Sequence, residues 1–282
     1  MGYQYPFIEL VELSQYKLQR GRIMNVMRTF VMGKNVFKEV IRDRIVYIIG
    51  FYAIILAVAF HAIPEFSATS ADKIFLDFGL ATMNIIGLIV AIFIGTGLVN
   101  KEIEKRTILV LIAKPISRSE FIASKYFGLS AVITVLITAM TIIYVGFLLI
   151  GKISYPFTSI LLAVLFLILQ LSLITAVAVA LGVFTSSLIA TALTFAVYLM
   201  GTITKDLVAL GKLSGSQGIM QMTQGLYLIL PDLSRLDLKN DAVYGIQALP
   251  DFMTLTINAG YGLIYSFMLL ALAILIFLKR EF

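Results

Sequence analysis

The sequence predicts an all-α integral membrane protein: six transmembrane helices, an N-terminal amphipathic interfacial helix and a cytoplasmic loop between the second and third spans. Three observations carry this. Of the 282 residues 60% are hydrophobic and 13% charged, with a mean hydropathy of +0.98, whereas a soluble domain has about 45–50% apolar and roughly 25% charged residues. The Lys, Arg, Asp and Glu residues leave residues 45–64, 78–100, 126–151, 153–204 and 252–278 without charge. Crossing a bilayer core of about 30 Å takes roughly 20 apolar residues, so four stretches suit one span each and the 52-residue run suits two. Finally, alternate sides of these spans receive unequal shares of Lys and Arg. Sixteen of the 22 fall on one side, in 1–44, 101–125 and the tail. The positive-inside rule places that side, and both termini, in the cytoplasm.

Residues 1–23 read as an extension. No apolar core of signal-peptide type precedes the first span, which is expected to direct its own insertion. From Val26 a helical pattern runs through Phe30, Phe37, Val40 and Ile41, with Lys34, Lys38 and Arg42 on the other side. Residues 24–44 thus read as a basic amphipathic helix lying in the headgroup layer. The spans are expected at about 45–63, 79–99, 126–150, 157–182, 187–204 and 254–278. The first ends near Pro64, before an acidic loop 64–77. A turn between Gly182 and Ser187 divides the long run. Residues 205–252 form an outer segment; within it, Leu213 to Pro231 is uncharged but carries three glycines and three glutamines. That stretch suits short helices or re-entrant structure packed on the spans, not a lipid-facing helix.

Several chemistries are excluded or weakened by composition. There is no cysteine and one histidine, His61, so thiolate, disulfide and multi-His metal chemistry are absent from the reading, and no metal or cofactor site is expected. Gly146 to Lys152 has P-loop spacing, but Ile153 stands where the Mg-binding Ser or Thr belongs and no strand precedes it. The chain is therefore not expected to hydrolyse ATP. No aromatic-basic module for nucleic acid appears. Ionisable groups inside spans cost roughly 2.5–3.5 kcal/mol each, and no span carries Lys, Arg, Asp or Glu. Asn84 and Gln170 are the most polar interior groups; amides there hydrogen-bond between helices or line a pathway.

The charged stretch 100–125 is the informative one. Ser117 and Glu120 have the spacing of a capping box, and Ile116 with Phe121 fits a hydrophobic staple. Pro115 disfavours helix at Lys114. The third span should therefore start at Ser117, about two turns before the membrane. Ahead of it Thr107–Ala113 is a short apolar patch, expected to dock on the spans, the lipid surface or another protein.

Glu102 and Glu104, then Lys105-Arg106-Thr107-Ile-Leu, then Lys114-Pro115-Ile-Ser-Arg-Ser-Glu-Phe and Lys125 resemble the cytoplasmic signature of ABC-2 type transporter permeases. The group named for multi-copper-enzyme maturation is the nearest likeness. The resemblance covers roughly residues 24–282. It implies a permease without its own ATPase site, paired with a separate ABC nucleotide-binding subunit that holds ATP and Mg, and with a second permease copy or a homologous permease. It also implies a multi-pass protein of the inner (plasma) membrane, with export the usual direction. Glu102, Glu104, Lys105, Arg106, Thr107, Lys114 and Pro115 would then form the coupling element. A membrane scaffold using the same loop is the alternative, ahead of an ATP-independent channel or secondary transporter. The residues do not identify a substrate.

Overall fold

The computed structural model describes residues 26–41, 45–66, 70–104, 117–213 and 216–279. Residues 1–23, and the coupling residues Lys105, Arg106, Thr107, Lys114 and Pro115 with the patch 107–113, lie outside them. Every regular element among the described residues is helical. A first helix, α1 (Val26–Val40), precedes α2 (Val46–Phe66), α3 (Ala71–Glu104), α4 (Arg118–Ile150), α5 (Phe157–Phe184) and α6 (Ser187–Thr202). Shorter helices α7 (Thr204–Leu213), α8 (Gln217–Ile229) and α9 (Lys239–Ala242) lead to α10 (Phe252–Lys279). Five of these are long and apolar enough to span a membrane, and six if α6 and α7 form one bent span.

Apolar sequence alone does not separate a central helix from a peripheral one, because every span is apolar on all faces. Packing does. In α5 72% of the most apolar stretch is buried, against 17% in α2. Helix α5 packs against α3, α4, α6 and α10, with α9 across it as well. Lipid supplies no hydrophobic drive between helices, so packing and polar contacts hold the bundle. The polar contacts converge on α3. Tyr52 of α2 donates to the Gly79 carbonyl at 3.2 Å, and Tyr144 of α4 donates to the Leu76 carbonyl at 3.0 Å. Helix α6 is tied to α3 by Asn84 Nδ2 donating to the Tyr198 hydroxyl at 3.1 Å and by the Thr96–Thr191 hydroxyl pair at 2.8 Å.

The helices depart from the expected spans in two places. Helix α2 runs through Pro64 to Phe66, and α3 starts at Ala71, so most of the expected loop 64–77 is helix. Pro64 has no N–H to donate to the Phe60 carbonyl, so that hydrogen bond is missing from the last turn of α2. Helix α3 likewise continues to Glu104, which puts Glu102 and Glu104 on its last turn instead of in a loop. The expected span 187–204 corresponds to α6, and the chain turns at its end. Helix α6 has 16 residues, about 24 Å, and α7 leaves it at 64°. At the break the hydroxyls of Thr202 and Thr204 bond to the carbonyls of Tyr198, Leu199, Met200 and Gly201, a pattern that bends helices. The turn in the long run falls at Thr185–Ser186.

The segment of P-loop spacing is the C-terminus of α4. Ile153 N–H donates to the Leu148 carbonyl and Lys152 N–H to Leu149, with Lys152 at φ 53°. This is a Schellman cap with lysine in the left-handed position that glycine usually fills.

Candidate functional site: the α1–α4 end

Capping chemistry fixes the start of α4. Ser117 Oγ accepts from the Glu120 N–H at 3.2 Å, and Glu120 Oε2 accepts from the Ser117 N–H at 2.9 Å. Both free amides are thereby satisfied, and the carboxylate also meets the positive end of the helix dipole. Glu120 is only 2% exposed, so it fastens the first turn from inside the packed region. Beside it, Phe121 stacks on Phe277 of α10, with centroids 5.7 Å apart, and Lys125 Nζ lies 5.6 Å from the Phe121 ring centroid. The start of α4 is thus clasped to the end of α10.

Helix α1 docks on this same part of α4. Its buried residues are Thr29, Gly33, Val36 and Val40, one stripe at helical spacing. The amphipathic pattern in the sequence places Phe30 on the apolar side of α1, and that residue is not part of the protein contact. Phe30 is 67% exposed, and Val26 and Met27 are exposed beside it. The reason is steric. A Cβ on Gly128 would lie 2.8 Å from the Gly33 carbonyl oxygen and 2.8 Å from Val36 Cβ. Only small residues allow backbones this close, so the small stripe takes the protein contact. The larger side chains Val26, Met27 and Phe30 are left facing outward, beside Lys34 and Lys38.

Of the residues expected to couple, Glu102 and Glu104 sit on the last turn of α3, the helix preceding α4, and Ser117 and Glu120 form the cap. The structure does not join Asn84 and Gln170 to this end. Asn84 holds α6 to α3, and Gln170 is 1% exposed on α5, with its Nε2 unpartnered among the described residues, as is Asn84 Oδ1. Gly33, Gly128 and Phe277 were not singled out by sequence reasoning. A signal for the glycines does exist: Thr29-x-x-x-Gly33 and Ser124-x-x-x-Gly128 are both small-xxx-small pairs.

The opposite end of the bundle carries a second polar assembly. Asp232 accepts from Arg235 Nε at 3.0 Å and from Ser234 Oγ at 2.6 Å, and Arg235 Nη2 donates to the Tyr227 hydroxyl at 2.8 Å. Asp232 foremost, then the Tyr227 hydroxyl, holds the Arg235 guanidinium above its ordinary range. Two tyrosines of α10 clamp this assembly. The Asp232 N–H donates to Tyr261 at 2.8 Å, and Tyr265 donates to the Ile229 carbonyl at 2.7 Å. Leu233, Leu236 and Leu238 are buried beneath it. By contrast α8 has no buried residue. Among the described residues no group of three or more His, Cys, Asp or Glu could hold a metal ion.

A bundle of five or six apolar helices with this arrangement defines a multi-pass membrane protein. The family described as ABC-2 family transporter protein matches residues 31–282, and the chain belongs to it. It is a permease subunit of that class. No curated protein matches the chain.

Proposed function

We propose that the chain is the membrane half of an ATP-driven exporter of the inner membrane, with the α1–α4 end in the cytoplasm. A separate nucleotide-binding subunit docks there, on the 101–115 element and α1, and supplies ATP and Mg. A second permease, identical or homologous, completes the pathway. The Lys and Arg asymmetry supports the orientation. The observation that supports the coupling is the Gly33–Gly128 crossing, which seats α1 directly on the start of α4, so that a displacement of one would carry the other.

The mechanism follows from the connections. ATP draws two nucleotide-binding subunits together and shifts the element between Glu104 and Ser117. That element continues at one side into α3 and at the other, through the capping box, into α4. A push there displaces α4, carries α1 with it, and reaches α10 through Phe121 and Phe277. Helix α3 takes the same displacement to α6 through Asn84–Tyr198 and Thr96–Thr191. Reversing both Glu102 and Glu104 to Lys tests the docking. Loss of a co-expressed nucleotide-binding subunit on purification, with insertion intact, is the expected result. Unchanged co-purification and ATPase activity would leave the loop as an anchor, as in a scaffold.

A further inference from the structure

At the end opposite α1 a cavity of about 180 Å³ opens between the end of α2, the start of α3 and the turn after α4. Its wall is made by Phe60, Ile63, Pro64, Phe75 and Gly151, with Asp72 the only charged residue in the lining. Phe75 is 2% exposed and lies edge-on to Phe60, with centroids 5.7 Å apart. The turn that closes one side is the left-handed Lys152 cap, and the turn's fit depends on Gly151. A Cβ there would come 2.6 Å from the Phe60 ring. Asp72 stands in the first turn of α3 and enters neither ion pair seen at this end of the bundle. The adjacent Lys73 is turned away, its ammonium 5.2 Å from the Tyr244 ring centroid.

An exposed aspartate in the lining, with the Phe60 ring in the same wall, is the complement of a compact organic cation, which gains from charge and from aromatic surface together. We propose that this cavity binds an ammonium or quaternary ammonium group. The cavity lies where the spans end, so the group is presented either by a lipid headgroup or by a free cation. The proposal is independent of the docking of a nucleotide-binding subunit.

The test uses the full chain in nanodiscs of phosphatidylglycerol, titrated with tetramethylammonium and followed by saturation-transfer NMR. Saturable binding is expected. Asp72→Asn should weaken it by up to about fivefold, the scale of an exposed charge pair. Asp72→Glu should restore most of it. Gly151→Ala, whose methyl group would displace the Phe60 ring from its place in the wall without altering charge, should weaken it as well. Replacing part of the phosphatidylglycerol by phosphatidylethanolamine distinguishes the sources: reduced binding identifies the headgroup amine as occupant, and unchanged binding a free cation. No saturable binding to the parent chain, or equal binding by Asp72→Asn, would overturn the proposal.

Discussion

The Gly33 carbonyl oxygen occupies the space that a side chain at Gly128 would need, 2.8 Å from an ideal Cβ at that position. The reverse contact is looser, since a Cβ on Gly33 would stand 3.3 Å from the Ser124 carbonyl oxygen. Gly128→Ala should therefore cost about 1–3 kcal/mol, because backbone must move to admit the methyl group. Gly33→Ala should cost distinctly less. Unfolding of the detergent-solubilised chain, compared between the two variants, checks the order. Equal losses would mean that α1 is not seated as described.

Replacing Ser117 by Ala removes one half of the capping box and should destabilise the start of α4 by about 0.5–2 kcal/mol. Hydrogen exchange at the amides of residues 118–121 should accelerate while the rest of α4 stays protected. The same variant should retain a docked nucleotide-binding subunit yet stimulate it poorly, because docking and transmission use different residues.

The α3–α6 contact gives a prediction with a built-in control. Tyr198→Phe strands the Asn84 amide donor in a buried site and should cost about 1–2 kcal/mol. Asn84→Leu together with Tyr198→Phe removes both polar partners and should recover much of that loss. A double variant as unstable as the sum of its singles would show that the two residues act separately.

Much of the architecture was legible because charge placement and apolar run length are direct consequences of the bilayer. The Ser117–Glu120 cap was legible for another reason: its chemistry is local, within three residues. What stayed hidden depends on contacts between distant segments. Which helix is central follows from packing, and α2 and α5 are equally apolar by sequence. The docked stripe of α1 stayed hidden because an amphipathic pattern reports which residues avoid water, whereas Thr29 and Gly33 are small residues whose contact with α4 depends on close backbone approach. The break after α6 was signalled by Thr202 and Thr204, but threonines within apolar runs are common. The clamp made by Tyr261, Tyr265, Asp232 and Arg235 rests on hydrogen bonds between residues 29 and 36 apart in sequence, and no spacing rule anticipates it.

That clamp should make the segment 227–243 resistant to exchange despite its position at the end of the bundle. Asp232→Ala leaves Arg235 and Ser234 without their acceptor and should raise exchange across the segment. Tyr261→Phe, which removes only the acceptor for the Asp232 N–H, should have a smaller effect in the same place.

Asp251 at the start of α10 is held below its ordinary carboxylate pKa of 3.8, first of all by the hydrogen bond from the Thr254 hydroxyl. A depressed value means that the charged form is favoured by the fold, so its contribution is complete above about pH 3.8 and fades as pH falls through the folded value. Protection of the amides of residues 252–255, taken relative to their intrinsic exchange rates at each pH, should fall in that acid range. Asp251→Asn should abolish the pH dependence.

The most direct test of the central claim uses a photoreactive residue at Val110, within the segment joining α3 to α4, in a chain co-expressed with its nucleotide-binding subunit. A matching residue at Ile246, which is 60% exposed at the opposite end, serves as comparison. The account predicts cross-linking of the nucleotide-binding subunit from position 110, altered by ATP, and none from position 246. Capture from position 246, or from neither, would contradict the assignment of this end as the one that receives the ATPase.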